Sequence, residues 1–161
     1  MFVPFNQMPE TSRIWIYQAD RFLTEEEVTK ASDFLSQFVQ HWESHGNQLQ
    51  ASYDIREKLF IIIAVNESHY QASGCSIDKS VQAIKEIEKF LDVNFFDRTK
   101  VAYCNNQSIQ LVSLLDLKKM IKEGQLTKST HIFNNLVDTK KTLERNWKLP
   151  AEETWIGKFF Q

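Results

Sequence analysis

Glycine is scarce in this chain. Only four of its 161 residues are glycine, where ordinary usage would place about eleven. Proline occurs three times and cysteine twice. So few glycines exclude collagen-like and Gly-rich linker architectures. They also count against any fold that needs two Gly-rich phosphate loops. Two cysteines, Cys75 and Cys104, are too few for a secreted disulfide framework, and a reducing cytoplasm is the compartment they imply. No basic stretch followed by an apolar one opens the chain, so no signal peptide is expected. The longest apolar run, Leu59 to Val65, is seven residues, far short of the ~20 that a membrane helix needs.

What is present describes a folded domain. Hydrophobic residues make up 42 % and charged residues 25 %, and no linker or repeat divides the chain, so residues 1–161 read as one domain. Net charge is −2. Residues 1–80 carry 6 basic and 11 acidic side chains, net −5, and residues 81–161 carry 13 and 10, net +3. A nucleic-acid footprint is normally more basic than this. Residues 118–148 hold 8 basic and 3 acidic side chains but only Phe133 and Trp147 as aromatics. On that count nucleic acid is not an expected partner.

Periodicity supplies the elements. Arg13 to Ala19 reads as a strand. Thr24 and Glu27 form a capping box, and the apolar stripe Val28, Ala31, Leu35, Phe38, Val39 and Trp42 predicts a helix ending at Gly46. Leu49 to Ile55 alternates like a half-buried strand. Arg56-Glu57-Lys58 makes a tight connection, and Leu59 to Val65 is a central strand. After a polar loop from Asn66 to Gly74, Ser76 opens a helix striped by Ile77, Val81, Ile84, Ile87 and Leu91. Val101–Cys104 and Ile109–Val112 form a hairpin around Asn105-Asn106. A helix from Leu114 to Glu123 stops at Gly124. A short strand His131–Phe133, a helix Thr139–Trp147 closed by Pro150, and an aromatic tail with Trp155, Phe159 and Phe160 follow; the tail packs back onto the domain. The predicted fold class is α+β: a ferredoxin-like split βαβ core in the order β-α-β-β-α-β, with an added hairpin strand and a helical C-terminal extension.

Two segments carry chemistry. In Ser73-Gly74-Cys75-Ser76-Ile77-Asp78-Lys79-Ser80, free amides at a helix start attract anions and activate thiols. Cys75 is the candidate nucleophile, with His45 or His69 as its base. Trp42, Gly74, Ser76 and Asp78 are candidate ligand-binding residues, and Asn134 and Asn135 after the last strand join them. Lys79-Ser80 superficially matches the end of a phosphate loop, but that motif needs glycine at 73 and 78, where Ser73 and Asp78 stand. In the second segment, His41 and His45 share a helix face at four-residue spacing, yet Trp42 occupies the position of the zinc-protease glutamate. No metal site and no cofactor is expected.

Phe5 to Pro9, Arg13 to Gln18, Trp42-x-x-His45-Gly46, Gln71 to Asp78, Phe133-Asn134-Asn135-Leu136-Val137 and Trp155 together resemble a small bacterial family of about this length. Its members are commonly labelled "ABC transporter ATPase". The resemblance spans nearly the whole chain and implies ATP binding beside a transporter. The chain departs from that label in having no Leu-Ser-Gly-Gly-Gln signature. The reading that best fits the residues is a module binding a small ligand or a protein partner near Gly74-Cys75-Ser76. A thiol enzyme built on Cys75 and a homodimer joined through sheet edges or the C-terminal aromatics are the rivals.

Overall fold

The computed structural model describes residues 1–161. The chain is α+β and forms two compact units, Met1–Phe96 with Asp138–Lys141, and Asp97–Val137 with Thr142–Gln161. No helix is long and apolar enough to cross a membrane.

The first unit is built on an antiparallel sheet of three strands, β1 (Arg13–Gln18), β4 (Gln50–Arg56) and β5 (Phe60–Asn66), in the order β1-β5-β4. All seven residues of β5 are buried, which is why that strand shows no polar alternation. Register places Trp15, Tyr17, Tyr53, Ile61 and Ile63 on one face. Two helices cover that face, α1 (Glu25–His41) and α2 (Gly74–Leu91). The Tyr53 hydroxyl meets Ser32 of α1 at 2.7 Å, and Tyr17 bonds Ser80 of α2. Burial pushes the Tyr17 phenol up, partly offset by that bond. On the other face Arg56 stacks over Phe5, 5.3 Å from the ring centroid. Lys140, 7 % exposed, donates to the carbonyls of Met8 and Asn6 at 2.8 and 3.3 Å.

The second unit holds a four-stranded sheet. Its strands are β6 (Lys100–Asn105), β7 (Ser108–Ser113), β8 (His131–Phe133) and β9 (Lys148–Pro150), in the order β7-β6-β8-β9. Helix α3 (Leu114–Lys122) starts at the cap Ser113, whose Oγ accepts the Asp116 N–H. Its inner side packs on a core of Val101, Leu117, Leu126, Ile132, Ala151 and Ile156.

Several boundaries differ from the expected ones, each for a local reason. The first helix ends at His41, not Gly46, because Trp42 turns extended (φ −75°, ψ 128°). Two short strands, β2 (Glu43–Ser44) and β3 (Asn47–Gln48), follow, with His45 and Gly46 as their turn at φ +51° and +79°. Gly46 therefore serves a hairpin and not a helix end. The second helix starts at Gly74, because Ser73 and not Ser76 is the cap. The β6–β7 turn centres on Asn106 and Gln107, one residue later than expected. Pro150 ends β9 and not the helix α4 (Lys140–Asn146). Strand β6, expected as the last strand of the β-α-β-β-α-β core, pairs with β7 and β8 in the second unit. In the first unit the outer edge of β1 meets residues 138 and 139 instead: the Ile14 N–H donates to the Asp138 carbonyl at 2.9 Å, and Arg13 bridges Thr139.

Candidate functional site

The start of α2 is assembled from its own serines. Ser73 Oγ accepts the Ser76 N–H at 3.1 Å, and the Ser76 hydroxyl donates back to the Ser73 carbonyl at 2.8 Å. Ser76 is 1 % exposed. Its own carbonyl accepts the indole N–H of Trp42 at 2.8 Å, a buried bond. Trp42 and Ser76, taken from different segments of the sequence, thus meet. The bond fastens the end of α1 to the first turn of α2.

The loop between β5 and α2 is clipped to itself. Asn66 Oδ1 accepts from the amide and the hydroxyl of Ser68 at 3.1 and 2.7 Å, and the Asn66 amide donates to the Gln50 side chain. Glu67 Oε2 accepts the Ala72 N–H at 2.9 Å while its Oε1 lies 3.8 Å from Arg13. A carboxylate is therefore already held at the positive end of α2. The Arg13 guanidinium stacks over Trp15 at 4.8 Å. Trp15 meets Trp42 edge to face at 6.2 Å, and Phe38 lies 5.1 Å from Trp42. Arg13, Trp15, Phe38 and Glu67 were missed as site residues. For Arg13 and Trp15 the missing signal was strand register, because Arg13 pairs with Val65 near the end of β5, the end that leads to α2.

The remaining candidates are scattered. Gly74, Cys75 and Asp78 are exposed in the first two turns of α2. His45 is exposed in the β2–β3 turn and His69 in the clipped loop. No hydrogen bond joins Cys75 to either histidine. His41 bonds the Gln37 carbonyl at 3.0 Å. Since α1 ends there, the four-residue helical spacing to His45 is lost. No group of three or more His, Cys, Asp or Glu side chains gathers as a metal-ligand set. Asn134 and Asn135 belong to the second unit. There Asn134 Oδ1 accepts the Leu136 N–H at 3.3 Å, and Asn135 Oδ1 accepts the Trp147 indole N–H at 3.0 Å.

No family model, curated protein or solved structure matches this chain. The site offers the exposed residues Gly74 and Cys75 with the buried Trp42 ring bonded behind them at Ser76. It aligns no general base with the thiol, so binding is within its means and removal of the thiol proton by a neighbouring base is not arranged.

Proposed function

We propose that this protein is a non-catalytic α+β binding module that takes a small ligand or a protein partner at the exposed first turn of α2. One observation carries the reading: the buried Trp42–Ser76 bond holds this turn rigidly against α1 while Gly74 and Cys75 stay exposed. Rigid support beneath an accessible turn is the arrangement that makes binding cheap in ordering entropy. The β-α-β-β-α order of the first unit, with its sheet order β1-β5-β4, supports reading that unit as a ferredoxin-like split βαβ core without its fourth strand. Two free thiols favour a cytoplasmic setting. The test is a titration of isotope-labelled protein with phosphate, sulfate and small carboxylates, followed at the Gly74, Cys75 and Ser76 amides. Selective, saturable shifts there support the module; unmoved amides reject this ligand class and leave a protein partner as the only form of the reading.

A thiol enzyme is the second reading, favoured by one observation: Cys75 is exposed on the first turn of an 18-residue helix. Alkylation by iodoacetamide across pH separates the two. Reaction confined to pH above about 8.5 is that of an ordinary thiol and removes the enzyme reading. ATP hydrolysis, implied by the family label, finds no support at this loop, which has Ser73 and Asp78 where a phosphate loop needs glycine.

A further inference from the structure

The second unit is basic where the first is acidic. It carries 9 basic and 6 acidic side chains, net +3, against 10 and 15, net −5, in the first. Six of the first unit's ten basic side chains are ion-paired within it, as Arg13–Glu67, Arg21–Glu27, Lys30–Glu26, Arg56–Asp54, Lys58–Glu25 and Lys89–Glu86. Lys118, Lys119, Lys122 and Lys158 of the second unit are exposed and make no ion pair. Asp116, Glu152 and Glu153, nearby in sequence, pair with none of them.

Aromatic rings stand among these ammonium groups. Lys118 Nζ lies 4.8 Å from the Phe159 ring centroid, and Lys158 Nζ lies 5.3 Å from Phe159 and 6.0 Å from Trp155. Trp155 and Phe159 meet edge to face at 6.1 Å. Phe159 packs on the core of the unit, whereas Trp155 stands out at 41 % exposure. Lys118 and Lys122 share one face of α3 at four-residue spacing. The sequence hid this cluster: the lysines of α3 and the rings of the tail lie some forty residues apart, and the 3-10 turn Trp155–Phe160 brings them together.

We propose that this face, Lys118, Lys122, Lys158, Trp155 and Phe159, binds single-stranded nucleic acid. Unpaired ammonium groups match the phosphates, and an exposed ring offers a base a stacking surface. The alternatives fit less well. A membrane surface wants an apolar stripe to insert, but Leu114, Leu117, Met120 and Ile121 of α3 pack on the unit's own core and Leu115 is the one apolar side chain that α3 exposes. An acidic peptide would use the lysines and leave Trp155 without a role. This inference is independent of the site at α2.

The experiment is fluorescence anisotropy of a labelled deoxythymidine strand of about 20 nucleotides with the full-length chain. Binding is expected at about 50 mM salt. It should weaken about twentyfold by about 200 mM, the slope for three phosphate contacts on a single strand. Trp155→Ala should weaken binding about fivefold or more at unchanged salt slope. Lys118→Gln with Lys122→Gln should lower both the affinity and the slope, the latter by about 1.4. All three positions are exposed, and circular dichroism checks that each variant is folded. Absence of binding at low salt, indifference to Trp155→Ala, or equal affinity for polyglutamate or phosphatidylserine vesicles would each overturn the proposal.

Discussion

Replacing Glu27 by Gln isolates one charge in a network that joins three parts of the first unit. Glu27 is the N3 residue of the α1 capping box: its Oε1 accepts the Thr24 N–H at 2.9 Å, and the Thr24 hydroxyl accepts its N–H at 3.1 Å. Arg21 binds the same carboxylate in two contacts of 2.8 Å and also donates to the Leu91 carbonyl near the end of α2 at 3.0 Å. Arg21, and after it the Thr24 amide, hold the Glu27 carboxyl at about 2, against an ordinary 4.5. That difference corresponds to at most about 3.4 kcal/mol. The Arg21 side chain is 44 % exposed, so solvent screening reduces the real contribution to about 1–2 kcal/mol. Because the folded state depresses this group, its contribution is complete above pH 4.5 and fades as pH falls toward 2. Gln preserves the capping-box reach, so Glu27→Gln removes the charge and leaves the cap. Urea unfolding should show a loss of about 1–2 kcal/mol at pH 7 that shrinks toward zero near pH 2. A variant within about 0.3 kcal/mol of the parent at pH 7, or one whose deficit persists unchanged in acid, would refute the reasoning.

Three further outcomes are expected. Glu57 and Lys58 both hold positive φ, +58° and +52°, at the two centre positions of the turn closed by the Leu59 N–H on the Arg56 carbonyl, where Asn-Gly is favoured, so Glu57→Asn with Lys58→Gly should raise stability by about 1 kcal/mol despite losing the exposed Lys58–Glu25 pair; a lowered melting temperature would contradict this. Trp42→Phe deletes the donor to Ser76 and leaves unfilled space beside Trp15, so a loss of about 2–3 kcal/mol is expected, with faster hydrogen exchange in the first turn of α2. A loss under about 0.5 kcal/mol would show that the Trp42–Ser76 bond does not support that turn. At Gly157 an added Cβ would lie 2.7 Å from the Glu152 carbonyl oxygen. Gly157→Ala should therefore cost about 1–3 kcal/mol in denaturant titrations, and a neutral result would mean that the 151–160 backbone shifts freely.

The legible parts of the fold were those written in long apolar periods. The cores of α1, α2 and β5 and the Arg56–Leu59 turn follow directly from residue pattern, and the capping box at Thr24 is present as read. What escaped was short or non-local. The β2–β3 hairpin has two residues per strand and exposes three of its four strand residues, so no apolar alternation marks it. At the start of α2, Ser73 and Ser76 are both good caps, and only backbone geometry separates them. Strand β6 satisfies the local requirements of either sheet, and its partner is decided by long-range pairing with Ile132. At the candidate site Trp42 and Ser76 were each legible as candidates from loop chemistry, but the bond between them was not. Arg13 and Trp15 were not legible, because their arrival depends on strand register.

Strand β5 has a consequence for how the chain must be completed. Phe60 to Val65 is an uncharged β-forming run, the kind of segment that stacks on copies of itself when left unpaired. Charges at Arg56, Glu57, Lys58 and Glu67 bracket it and act as gatekeepers while it is exposed. One edge closes early, through the tight turn to β4. The other waits for β1, which lies beyond the whole of α1. The outer edge of β1 is met in turn by Asp138 and Thr139, from the far part of the chain. A polypeptide released before residue 138 would thus own every strand of its first sheet and still present an open edge. Cover for that edge arrives only once residues 138 and 139 have been made, and a product truncated before them is the form in which self-association should first appear.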